Sequence, residues 1–246
     1  MTCGTQRQNK TSNVITRIEA KRRHRQRYEW LDTYYLFSFA NYVDPSNLEF
    51  GTLRVFNDDR INTYSGFDEH SHDNMEIVTI MLDGRLTHRD SLGNVEMIKA
   101  GEVQRMSAGT GVVHAEKNLD DEPVHLYQLW FYPHTEGLIP SYVQADFSYI
   151  EPNTFVPIVS NQPMEGALSM SADATIYRAD LEASQSLSYV LQPERGLFVY
   201  VEAGELKISD QVFEVGDQAR ISSESHVTFK TEQGTKFVCI DVGRMK

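Results

Sequence analysis

From Trp30 onward, apolar residues come in short runs separated by turn residues. Leu53-Arg54-Val55-Phe56 and Ile77–Leu82 are two such runs, and Arg85–Arg89 follows the second after Asp83-Gly84. An Asp-Gly pair between two strand-like runs predicts a tight hairpin. Ser91-Leu92-Gly93-Asn94 predicts a further turn. Few segments carry a helical period. Closely spaced strands with few helices predict an all-β sandwich or barrel. Residues 1–13 are polar and lack apolar periodicity, so they predict a disordered extension.

The pattern occurs twice. Gly84-Arg85-Leu86 is echoed by Gly204-Glu205-Leu206, and Gly101–Ser107 by Gly216–Ser222. The halves therefore read as two versions of one β unit, joined between Pro140 and Pro157. A chain of 246 residues is long enough for two such units, each with a core.

The candidate chemistry lies in the first unit. His70-Ser71-His72 places two imidazoles on one face of a strand, because side chains alternate. His114-Ala115-Glu116 repeats the spacing on a second run. Facing each other, the pairs supply three imidazoles and a carboxylate, a donor set for a borderline divalent ion with open positions. Burying these groups in a barrel without a cation would cost several kcal/mol. The set suits Fe(II) first and also accepts Cu, Mn, Co, Ni or Zn. Glu76 shares parity with His70 and His72 if the strand is unbroken. It is the alternative to Glu116 as fourth ligand, or a residue that orients one. At the equivalent offsets before Gly204 stand Val190 and Gln192, so the second unit loses the ligand set and His226 reads as structural. His88 reads as solvated on its hairpin strand. His125 lines a cavity or packs structurally, and His24 and His134 take no role. Phe67, Met75, Met106 and Phe131 are candidate pocket walls or core.

Charge and cysteine content bound the function. The formal net charge is -12. Residues 1–29 hold eight Lys/Arg against Glu19 and Glu29, so they carry +6 and the remainder -18. A body this acidic is a poor match for a nucleic-acid backbone. The basic run Lys21–Arg27 reads as a solvated face, with docking onto the acidic body as the alternative. Cys3 and Cys239 predict no disulfide, and Cys239 reads as a buried hydrophobe. No apolar stretch is long enough for a membrane span, and no apolar leader follows Met1. A cytoplasmic location is expected.

His70-x-His72-x3-Glu76 with Gly84, then Gly101-x5-Ser107 and His114-x3-Asn118, resemble the two cupin motifs. Phe37–Tyr42, Asn57-Asp58-Asp59, Asp73–Ile77, Met106–Gly111 and His125–Trp130 widen the match, and the chain resembles the pirin family, especially its bacterial members. The resemblance implies a bicupin of two β-barrel (jelly-roll) domains, with a metal-binding domain at 14–145 and a domain without metal ligands at 146–246. It implies His70, His72, His114 and Glu116 as metal ligands. It implies quercetin 2,3-dioxygenase activity, in which a flavonol-like substrate and O2 meet at the metal and Glu116 or Glu76 takes the flavonol proton. The family's other implied role is a metal- or redox-dependent regulator that binds a protein partner. Ser71 replaces a common Pro, Ala115 a frequent Ser, and Asn62–Ser65 lacks the usual Pro-Gly, so the pocket mouth differs.

Overall fold

The strand Glu76–Asp83 is apolar on both faces because both are covered. Ile77 and Met81 point into one barrel, while Val78 and Ile80 point into a core shared with the second half of the chain. The computed structural model describes residues 14–222 and 224–243; the predicted extension at 1–13 lies outside them. Among the described residues the only helix is the 3-10 turn Ala20–Arg22. No helix there is long and apolar enough to cross a membrane.

Each half is a seven-stranded sheet backed by a four-stranded one. In the first, Glu102–Ser107, Glu76–Asp83, Val124–Phe131 and Leu53–Ile61 form the middle of the large sheet. Ser65–His72, Val112–Asn118, Arg85–Asp90 and Val95–Lys99 form the small one. The second half repeats that order with Gln218–Ser222, Arg195–Gly204, Thr235–Gly243 and Ala174–Leu181, backed by Ser186–Val190, His226–Lys230, Leu206–Ile208 and Gln211–Phe213. The register carries the echo to single residues: His70 pairs with His114, and Val190 with His226.

The two large sheets pack face to face. Phe56, Tyr127, Leu129 and Phe131 of the first meet Phe198, Tyr200, Val238 and Ile240 of the second. Burial on this scale is the largest favourable contribution to the fold. The interior of the second barrel is one apolar cluster, including Leu197, Val199, Phe229 and Phe237. The interior of the first is two smaller clusters, one around Met81 and Leu86, the other around Ile77 and Met106.

Three expectations need correction. Asp83-Gly84 is not a hairpin turn. Glu76–Asp83 already pairs on both edges, with Glu102–Ser107 and Val124–Phe131, so the chain turns a corner at Gly84 (φ 74°) and Arg85–Asp90 joins the other sheet. The Ser91–Asn94 turn does close a hairpin, between Arg85–Asp90 and Val95–Lys99. Residues 14–18 do not belong to the first barrel. Val14–Ile18 covers the Gln218–Ser222 edge of the second, where Arg17 and the Ala20 amide bind Asp217. The joining region is also narrower than Pro140–Pro157, because Ser141–Asp146 still pairs with Glu102–Ser107 and Val156–Ser160 opens the next sheet.

The basic run docks onto the chain's own acids instead of facing solvent throughout. Arg25 pairs with Asp32, and Arg23 reaches Asp58 and Tyr200 across the domain junction.

Gly66 lets two strands approach closely. It sits at φ 146°, and a Cβ there would lie 2.3 Å from the Glu116 carbonyl oxygen. Gly66→Ala should therefore destabilise the protein by about 1–3 kcal/mol. Urea unfolding checks this, and an unchanged midpoint would show that Ser65–His72 yields freely.

Candidate metal centre

Ser65–His72 and Val112–Asn118 are neighbours in the small sheet, so their inward residues meet. The ring centroids of His70 and His114 lie 4.5 Å apart, and those of His72 and His114 5.0 Å apart. Donor nitrogens of His70, His72 and His114 all lie within 4.8 Å of one another. The Asp68 carbonyl accepts from His70 Nδ1 at 2.7 Å, which leaves His70 Nε2 with its lone pair. Both ring nitrogens of His114 are buried without a hydrogen-bond partner. An orphaned buried imidazole is costly in a finished core and ordinary in a set of metal-ligating side chains. The donor set fits a divalent ion.

Glu116 is 1% exposed and held from two sides. Gln104 Nε2 donates to Oε1 at 2.6 Å, and Gln128 Nε2 to Oε2 at 2.8 Å. Thr79 sets both amides. Its hydroxyl accepts from Gln104 Nε2 at 2.9 Å and donates to Gln128 Oε1 at 2.8 Å. Glu116, His114 and His88 form a second group of donors within 4.8 Å.

His88 is not solvated. It is fully buried, with Nε2 donating to Asp90 Oδ2 at 3.1 Å and Nδ1 unpartnered. Despite burial, the Asp90 carboxyl lies below its usual range, because Asn94, His88 and nearby backbone amides donate to it. The signal for His88 was available: Leu86 points inward, so His88 and Asp90 two and four residues later do too.

The structure separates Glu76 from this group. The strand breaks after His72, Asn74 takes φ 44°, and Glu76 begins a strand in the other sheet. Its Oε1 accepts from Ser107 Oγ at 2.5 Å, and it lines a cleft with Arg105 and Ser169–Ser171. Burial raises its carboxyl above the ordinary value. His125 faces the domain junction, where Nε2 donates to Asp58 Oδ1 at 2.7 Å. His24 stacks on Tyr42, while His134 and His226 are exposed. Cys239 is free and buried.

A cavity of about 440 Å³ opens onto His70, His72 and Glu116. Trp30, Tyr35, Phe39, Phe67 and Trp130 line it, with Asn57, Asp59 and Gln128 as polar positions. Of the four expected wall residues only Phe67 lines it; Met106 and Phe131 are core, and Met75 packs against the Ile77–Met106 cluster. No local signal marks Asn57, Asp59, Thr79, Gln104 or Gln128 as site residues, since nothing local distinguishes an inward Gln from an outward one.

A family model described as Pirin matches residues 18–131, and one described as Quercetinase C-terminal cupin domain matches residues 157–242. A quercetin 2,3-dioxygenase of Escherichia coli O157:H7 is 35% identical over 225 residues, 91% of this chain and 96% of that protein. A pirin-like protein of Caulobacter vibrioides is 36% identical over 214 residues, covering 86% and 92%. The crystal structure of the bacterial pirin YhhW from Escherichia coli in complex with nickel(II) superposes with a TM-score of 0.90 at 34% identity, over 94% of this chain and 100% of that one.

Burial, then the neighbouring His114 and His70, lowers His72 from 6.5 to about 4. Burial, then His70 and His88, lowers His114 from 6.5 to about 3. Both rings are neutral at neutral pH and ready to bind a cation. The unfolded chain takes up these protons near 6.5, the folded chain only near 4 and 3. Stability of the metal-free protein should therefore hold above pH 6.5 and fall as the pH drops toward 4. Thermal melts across that range check the sign, and the fall should shrink in a His72→Gln/His114→Gln double variant.

Proposed function

Because the chain belongs to the pirin family of two-barrel cupin proteins, we propose that it is a metal-dependent dioxygenase that cleaves flavonols of the quercetin type with O2. One observation carries this reading: His70, His72 and His114 converge beside Glu116 at the wall of an aromatic cavity. His70, His72, His114 and Glu116 would hold the ion, Fe(II) by preference, with Ni(II) and other divalent ions as substitutes. When bound, that ion supplies Lewis acidity toward a coordinated hydroxyl and open positions for substrate and dioxygen.

The protein's own residues do the rest. The cavity volume falls within the range of about 300–1,000 Å³ usual for small-molecule sites. Trp30, Phe67 and Trp130 offer ring faces and edges to a planar ligand and exclude water around it. Glu116 takes the 3-hydroxyl proton on a carboxylate oxygen, while Gln104 and Gln128 hold that carboxylate in place. Glu76 faces the other cleft, so the base is assigned to Glu116 alone. The flavonolate then reacts with O2, its central ring opens, and carbon monoxide leaves.

Loss of quercetin absorbance in air, with carbon monoxide release, tests the reading directly. Protein reconstituted with Fe, Cu, Mn, Co or Ni should turn over with at least one; failure with all five ends the dioxygenase reading and favours a regulatory role. His72→Ala and Glu116→Ala should each cut metal content and activity by more than about 100-fold. His226→Ala should keep both near wild type. Metal retained in Glu116→Ala but lost in Glu76→Ala would move the fourth ligand to Glu76.

A further inference from the structure

The strand Leu53–Ile61 carries three consecutive buried polar residues, Asn57, Asp58 and Asp59. Alternation sends them to two places. Asp58 faces the domain junction and is fully engaged. It accepts from Tyr200 Oη at 2.7 Å, from His125 Nε2 at 2.7 Å and from Arg23 at 3.4 Å. Asn57 and Asp59 face the aromatic cavity. There Asp59 Oδ1 and Asn57 Oδ1 are buried with no hydrogen-bond partner. Asp59 is 2% exposed, and burying a carboxyl oxygen without a partner is among the costlier arrangements a core can hold. No side chain of the cavity wall, the donors Trp30, Tyr35 and Trp130 included, closes a hydrogen bond on Asp59 Oδ1.

We propose that Asp59, flanked by Asn57, is a second polar anchor of the cavity that hydrogen-bonds a ring hydroxyl of the bound aromatic molecule. The preferred ligand is then a planar phenol with a hydroxyl beyond the one aimed at the His70–His72–His114 group. The inference rests on the reading of this cavity as an aromatic-ligand site and adds the residue that selects among such ligands. Burial, increased by the charges of Asp58 and Glu116, raises the Asp59 carboxyl to about 7, and Thr33 across the ladder tempers the rise without closing a bond on Oδ1. In either protonation state one carboxyl oxygen accepts, so the anchor does not depend on that value.

The chain supplies its own reporter. Its two tryptophans, Trp30 and Trp130, both line the cavity. Quenching of their fluorescence, corrected for probe absorbance, measures binding to the metal-reconstituted protein under nitrogen, where no turnover occurs. Two probes separate the anchors: quercetin, which carries further ring hydroxyls, and 3-hydroxyflavone, which carries none beyond the 3-position. Wild type should bind quercetin at least about tenfold more tightly than 3-hydroxyflavone. Asp59→Leu should erase that preference and leave the 3-hydroxyflavone Kd within about twofold. Asp59→Asn, which keeps an acceptor in place, should retain most of it.

Asp59→Leu should melt no lower than wild type, because it removes an unpartnered buried group. A marked loss of stability would mean that the carboxyl is already bonded in the free protein, and would overturn the proposal. So would an undiminished quercetin preference in Asp59→Leu, no preference in wild type, or equal weakening of both probes. Quercetin that binds with this pattern but is never oxidised would leave the anchor standing and remove the dioxygenase reading. Equal cleavage rates in wild type and Asp59→Leu, with equal affinities, would do the reverse.

Discussion

The first barrel has a polar layer through its middle, and the rest of the structure is arranged around keeping that layer satisfied. Glu116 is fixed by Gln104 and Gln128, which Thr79 fixes in turn. His88 is tied to Asp90, and His70 to the Asp68 carbonyl. Among the groups left unbonded are both ring nitrogens of the inner imidazole, His114, and Nδ1 of His88. Buried imidazole nitrogens with free lone pairs, beside a carboxylate held by two amides, make a donor set that suits a cation. The apolar interior is split into two small clusters by this layer, which the second barrel, with its single apolar interior, does not have.

Loss of a continuous core in the first barrel has a compensation outside it. The two large sheets pack against each other through an aromatic layer of Phe37, Phe56, Tyr127, Phe198 and Tyr200. That layer lies directly behind the strands that present Thr79, Gln104 and Gln128 to the site. The second barrel has lost the ligands and kept this supporting face. It backs the wall on which the candidate site is built.

The strand Leu53–Ile61 shows how closely the two faces are linked. Asp58 joins His125, Tyr200 and Arg23 across the junction, while its neighbours Asn57 and Asp59 line the cavity. The basic N-terminal run is part of the same arrangement, since Arg23 reaches both Asp58 and Tyr200 at the junction. A run of positive charge that reads in isolation as a solvated face is here the partner of the chain's own carboxylates.

Residue order alone determined the all-β class, the internal duplication, the His70-x-His72 and His114-x-Glu116 pairs, and their loss at Val190 in the second unit. These are consequences of alternation and spacing, which act over a few residues and leave a local trace. Tertiary structure decided where the chain turns at Gly84, which barrel Val14–Ile18 joins, and that Glu76 leaves the site when the strand breaks at Asn74. It also decided that Gln104, Gln128 and Asp59 face inward to the same centre. Those outcomes depend on which sheet edge is free and which surface is already covered, properties of strands distant in sequence, so no local window of residues contains them.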